Sequence, residues 1–353
     1  MTVYANKPAF NVREKLKELE KPSGIAGRAM LAADTPQEQF DLIGAGRRNI
    51  LINGNAQISQ RGDYSSATTV VNQTLYVDRW FADVNISSTF QHTDVDIEDM
   101  PTKCKAMKYV ATTSGTYYMG TRQKVENPAQ YVGRTFTYSA YVRSNHASAR
   151  LTAYMSGSVQ VEYSTAHSGS GQWERLSTTF TVKSGVTAWY LDVFLATQGV
   201  GPVAISTGDY FEVTGIQLEL GKVATPFEHR SYGEELALCQ RYCYVIDGTQ
   251  GASTGEVSIG HGVWNGTNGA YIGVQMPTRM YELPTIDYGN LAWYRVVAEA
   301  ISWRGLTALS VQSDSSSPHY VTLFATASSD TRGLVARMTT QSIAAKLIFD
   351  AEI

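Results

Sequence analysis

A chain of 353 residues with 43% hydrophobic, 11% aromatic and 17% charged side chains holds enough apolar material for a real core and too little charge for a disordered polymer. Its length suits two domains, or three if one is small. A formal charge of −3 and a pI near 6.1 provide no basic field for phosphates, so nucleic-acid binding is not expected.

No run approaches the roughly 18 apolar residues of a membrane span, and no membrane insertion is expected. The opening MTVYANKPAF lacks the basic-then-apolar pattern of an export signal. Three cysteines, Cys104, Cys239 and Cys243, cannot form a disulfide framework, which points to folding in a reducing cytoplasm.

Residues 1–48 contain 14 charged side chains and read as helical. Asn11 and Glu14 have capping-box spacing, and Val12, Leu16 and Leu19 then share one face up to the stop at Lys21-Pro22. The Ala-rich stretch Ile25–Ala33 is a second helical run. Thr35-Pro36-Gln37-Glu38 starts a third, with Phe40 and Ile43 as its apolar face and Gly44 as its stop. Isolated helices shorter than about 12–15 residues are marginal in water, so this arm is expected to dock into a larger assembly, with packing on its own domain as the alternative.

Beyond residue 49 the apolar period becomes two. Thr135–Val142, Arg150–Tyr154, Ser158–Tyr163, Leu176–Val182, Ala188–Leu195 and Tyr210–Leu220 read as strands separated by Gly/Ser turns. Ser231 and Glu234 have capping-box spacing and open a helix over Glu234–Tyr244. Strands return at Gly255–His261, Gly269–Met276, Ala292–Val297, Thr307–Gln312, Tyr320–Ala327 and Gln341–Ile353. The expected fold is therefore mainly β. It comprises a helical attachment arm (1–48), an antiparallel jelly-roll-like sandwich (49–231), one bridging helix (232–249) and a second, smaller C-terminal β-sandwich (250–353).

Candidate chemistry is sparse. Gly251-Ala252-Ser253-Thr254-Gly255 matches a nucleophile-elbow pattern, but a strand follows where a helix is required, and a hairpin loop is the better reading. His92, Asp94, Asp96 and Glu98 alternate on one strand face. They lack the glycine and terminal glutamate of a calcium loop and read as a solvated edge, with metal binding and two-carboxylate glycan cleavage as the alternatives. Cys239 and Cys243 lie on one face of the expected helix with no second ligand pair to close a zinc site, so they read as packing residues. No catalytic residue, metal ligand or cofactor is assigned, and no enzymatic activity is expected.

Trp173, Trp189, Tyr190 and Phe194 read as core. Trp264, Trp293, Trp303, His319 and Tyr320 lie near Gly/Ser/Asn-rich loops of the distal region and are the candidate surface contacts.

Several runs resemble bacteriophage tail-fibre and related virion structural proteins. They are Arg48-Asn49-Ile50-Leu51-Ile52-Asn53-Gly54-Asn55 with Gln60-Arg61-Gly62, then Tyr76-Val77-Asp78-Arg79-Trp80, Gln217-Leu218-Glu219-Leu220-Gly221, Thr225-Pro226-Phe227-Glu228, Arg230, Tyr232-Gly233-Glu234-Glu235 and Cys239-Gln240-Arg241-Tyr242. Phe10–Leu16 and Leu31–Pro36 are similar to the proximal ends of such fibres, so the likeness runs over about residues 8–245, departing at Cys243 where an aromatic is usual. Residues 49–230 also look like the jelly roll of carbohydrate-binding modules.

The resemblance implies a virion component assembled in the host cytoplasm, commonly a homotrimer. It would attach to other tail proteins through residues 1–48, with Phe10, Val12, Leu16, Leu19, Phe40 and Ile43 as contacts. A distal β domain would face host-surface polysaccharide or lipopolysaccharide. The alternative is a structural connector or decoration protein without receptor contact, and a glycan depolymerase is a further one.

Overall fold

The computed structural model describes residues 49–352 except 99, 101–103, 197–200, 252–254, 266, 299–301 and 328–334. The helical arm expected at 1–48, with all six of its attachment residues, lies outside the described residues, as do Ala252, Ser253 and Thr254 of the elbow-like run. Among the described residues no helix is long and apolar enough to cross a membrane.

The structure is mainly β, and its larger part is a jelly-roll-like sandwich of two six-stranded antiparallel sheets. The first runs, in spatial order, Thr68–Thr69, Ser88–Val95, Cys104–Ala111, Tyr210–Leu220, Thr135–Ser144, Trp173–Thr181. The second runs Gln160–Tyr163, Ala149–Ser156, Ala188–Leu195, Met119–Lys124, Trp80–Val84, Leu75–Val77. Strand alternation sets which side chains meet between them. From Ala188–Leu195, Trp189, Leu191, Val193 and Leu195 enter the core, and Tyr190, Asp192 and Phe194 therefore point to the opposite, outer face. Tyr109 stacks on Phe211 at 5.1 Å and Phe136 sits edge-on to Trp189 at 5.2 Å, so aromatic rings fill much of the interior.

The runs that carry the sequence resemblance converge at one junction beneath this sandwich. Asn53, in a left-handed conformation (φ 59°), donates from its amide to the carbonyls of Ile58 (2.8 Å) and Asp78 (3.0 Å) and accepts from the Ile58 N–H (3.0 Å). Its own N–H donates to Glu235 on the helix (2.6 Å), and its carbonyl accepts from the Trp80 indole (3.0 Å). Gly54 lies so close to the strand Tyr210–Leu220 that a Cβ there would stand 2.0 Å from the Ile216 carbonyl oxygen, which only glycine permits. Arg230 donates to the Leu51 carbonyl (3.0 Å) and pairs with Glu235 (3.1 Å). These motif residues are thus mortar between elements, most of them buried.

The capping box appears as expected. Ser231 accepts from the Glu234 N–H, and Glu234 accepts from the Ser231 N–H (3.0 Å), opening the helix Tyr232–Gln240. The helix is shorter than the sequence suggested. Cys243 does not share a helical face with Cys239 but begins the strand Cys243–Asp247, because the run Cys-Tyr-Val-Ile favours extended backbone. Both thiols are buried and unbonded, and burial pushes each well above the ordinary thiol range.

From here the chain builds a three-stranded sheet, Cys243–Asp247, Lys346–Asp350, Thr285–Asp287, and a closed barrel. The barrel strands run Ser258–Trp264, Gly269–Gln275, Tyr320–Ala327, Ser302–Val311, Tyr294–Ala298, Val335–Thr340, and the last pairs with the first. Closure leaves no free edge among these strands. Trp264, Tyr294, Ile272, Leu323 and Met338 fill a core that continues under the three-stranded sheet through Leu347 and Phe349.

Candidate functional site

The outer face of the second sandwich sheet gathers polar and aromatic side chains in register. Alternation along four adjacent strands presents three rows. Tyr154, Tyr190 and Lys124 form one; Thr152, Asp192, Arg122 and Phe81 the next; Arg150, Phe194, Gly120 and Asp83 the third. Tyr154 and Tyr190, both half-buried, stack at 6.2 Å with 23° between their planes. Tyr118 meets Phe194 edge-on at 5.9 Å.

Arg122 organises the centre. Its Nε donates to Asp192 Oδ1 (2.9 Å) and its Nη2 to Asp83 Oδ2 (2.7 Å), while the guanidinium lies 5.3 Å from the ring centres of Tyr190 and Phe194. Asp192 is fully buried, and its Oδ2 has no hydrogen-bond partner among the described residues. Burial pushes its carboxyl up to about 7, against the pull of Arg122 and with the help of the Asp83 charge. Burial raises Asp83 in the same direction. Phe194 can lie flat over Gly120 because that position has no side chain: a Cβ would stand 1.8 Å from the ring.

A cleft of about 320 Å³ opens beside these rows, lined by Gln73, Leu75, Arg79, Phe81, Arg122, Lys124, Tyr190 and Glu352. Half-buried aromatic faces next to a fixed Arg–carboxylate pair suit a ligand with apolar C–H faces and vicinal hydroxyls. The sequence placed Tyr190 in the core; its alternation with Trp189 instead turns it to this outer face. Met119–Lys124, which supplies Arg122 and Lys124, is a strand without apolar alternation in its sequence.

The distal candidates do not converge. Trp264 is 1% exposed inside the barrel and is withdrawn as a surface contact. Trp293 is half-buried in the turn Leu291–Trp293, against Gly289. Trp303 is 43% exposed, with the Arg295 guanidinium 3.4 Å over its ring, and Arg295 and Arg337 both pair with Glu256 (3.0 and 3.3 Å). His319 and Tyr320 are exposed, the Tyr320 phenol lying over Gly273. The barrel register puts Tyr320 and Trp303 at opposite ends.

The alternating acidic strand is also dispersed. His92 turns to the Ala56 carbonyl (2.6 Å), Asp94 pairs with Lys105 (2.7 Å), and Asp96 and Glu98 face solvent. Among the described residues no three His, Cys, Asp or Glu side chains gather as a metal site.

No known protein-family model matches the chain, and no curated protein matches it. Solved structures do. A bacteriophage CBA120 tailspike protein 4 enzymatically active domain is 10% identical over 49% of this chain and 21% of its own, with a TM-score of 0.34. The CBM22-1 xylan-binding domain from Paenibacillus barcinonensis Xyn10C is 15% identical over 46% of this chain and 97% of its own, with a TM-score of 0.28. An α-L-arabinofuranosidase, MgGH51, is 13% identical over 52% of this chain and 31% of its own, with a TM-score of 0.29. The tailspike and arabinofuranosidase matches thus take in less than a third of those proteins. They correct one expectation: structures of enzymes are among the matches, so the lack of a catalytic motif in the sequence does not exclude enzymatic activity.

Proposed function

We propose that this chain is a tail-fibre subunit of a phage virion that binds host-surface polysaccharide or lipopolysaccharide through the outer face of its sandwich. Residues 1–48 join it to other tail proteins, and three copies associate so that weak single-site contacts sum to avidity. The fibre assignment is supported by the sequence runs around Asn49, Arg79, Glu219, Arg230 and Glu235. The binding assignment is carried by one observation: Tyr190, stacked on Tyr154, and Arg122, held by Asp192, both line a cleft open to solvent. A sugar ring can lie on Tyr190 while its hydroxyls meet Arg122 and Lys124, which line the same cleft. This moves the receptor contact from the distal barrel, where Trp303 and Tyr320 are too far apart to act together, to the sandwich.

Mass spectrometry of purified particles tests the first part: a fibre subunit is found in them in stoichiometric amount, and its absence removes the assignment. Affinity electrophoresis of the full chain in gels containing host polysaccharide tests the second. Retardation lost in Tyr154→Ala/Tyr190→Ala and kept in Trp303→Ala supports the sandwich face. The opposite pattern returns the receptor to the barrel, and no retardation of the unaltered protein leaves the purely structural connector.

A further inference from the structure

We infer that the polymer taken by this face is acidic, and that Lys124 is the side chain that meets its carboxylate or phosphate groups. The inference rests on the glycan-binding reading of the sandwich. A second cavity, of about 310 Å³, is lined by Arg79, Lys124, Glu126, Arg230, Arg241 and Tyr242 among others. Arg79 and Lys124 line both this cavity and the cleft beside Tyr190, so the two spaces share that wall. Arg79 donates to the Lys124 carbonyl (3.0 Å), which fixes the backbone of that shared wall.

Five cationic side chains therefore border these two adjoining spaces, in a protein whose overall charge is −3. Four are already neutralised. Arg79 pairs with Glu352, Arg122 with Asp83 and Asp192 (2.7 and 2.9 Å), Arg230 with Glu235 (3.1 Å) and Arg241 with Glu126 (3.2 Å). Lys124 forms no ion pair among the described residues. It is partly exposed and directly opposite Tyr190 in the strand register, so a sugar stacked on Tyr190 brings its substituents beside the ammonium group. An unneutralised cation next to a stacking platform is a recognition element for an anionic sugar, and a neutral polymer would leave its charge unanswered.

The test uses the full chain and three probes: polygalacturonate, its fully methyl-esterified form, and a phosphomannan. The expected result is at least about tenfold tighter binding of an anionic polymer than of the ester at low salt, shrinking as NaCl is raised. Lys124→Gln should cut that preference by most of its value, and Lys124→Arg should keep it. Preference for polygalacturonate alone identifies carboxylate as the anion, preference for phosphomannan alone identifies phosphate, and preference for both identifies charge in general. Equal binding of all three, or a preference that survives Lys124→Gln, overturns the inference and leaves the glycan-binding face standing. Failure to bind any of the three also overturns it, whereas the face itself falls only if host polysaccharide fails to bind as well.

Discussion

Arg79 and Glu352, 273 positions apart, form a buried ion pair that ties the turn before Trp80 to the end of the chain. Arg79 adopts a left-handed backbone (φ 73°), an uncommon conformation for a residue with a long side chain, and its guanidinium also lies 3.5 Å over the ring of Tyr242. Arg61 reinforces the same contact by pairing with Asp350 (2.9 Å). Removing one partner leaves the other charge without its nearest counter-ion in a largely buried setting. Glu352→Gln is expected to cost about 3 kcal/mol in urea unfolding, and Arg79→Met combined with Glu352→Leu should cost less than the two single changes added together.

Asn53 combines three side-chain hydrogen bonds with a left-handed backbone. Asn53→Ala should lose about 3 kcal/mol, since it orphans buried backbone groups and keeps the strained φ. Asn53→Gly loses the same bonds but relaxes the backbone, so it should be milder by about 1 kcal/mol. Equal losses in denaturant titration would count against a role for the backbone conformation.

Asp192 makes stability depend on pH in a stated direction. An unfolded aspartate titrates near about 3.9, while burial holds the folded group's proton to about 7. The folded state therefore binds more protons than the unfolded chain between those values, and this contribution to stability is lost as pH rises through the window. Buried Asp78, pushed up to about 6, acts in the same sense. Melting temperatures measured from pH 4.5 to 7.5, a range of about 3 units around these values, should fall less steeply in Asp192→Asn. An unchanged slope would show that Asp192 is ionised throughout.

Gly120 is the floor on which Phe194 rests. Gly120→Ala forces the ring away and is expected to cost about 1–3 kcal/mol in thermal melts. Phe194→Ala removes the obstacle, so the double variant should lose less than the sum of the two. Additive losses would mean that the ring yields without strain.

Much of the sandwich was legible because its inner positions are apolar. Ala188–Leu195 and Tyr210–Leu220 have the limits that their alternation indicates, and the Ser231–Glu234 cap is present at the expected residues. Met119–Lys124 was not legible, and the reason is physical. Two of its inward residues are polar, Thr121 and Gln123, and the Gln123 amide bonds the N–H and carbonyl of Ile52 (2.9 and 2.7 Å), so no hydrophobic period marks the strand. The candidate site inherits that obscurity through Arg122 and Lys124. Asp192 left a signal, as the single charge in an otherwise apolar strand. The strand order of the distal region depends on long-range pairing that closes the barrel, which local periodicity does not encode.

Outside the motif-bearing junction, the two strands that frame the distal region lie side by side. Cys243–Asp247 leads out and Lys346–Asp350 leads back, paired residue for residue. The chain between residues 248 and 345 enters and leaves through that strand pair, with Thr285–Asp287 on its outer side. A different domain of similar footprint, joined between the same two strands, would meet an unaltered seat of Arg61, Arg79, Asp350 and Glu352.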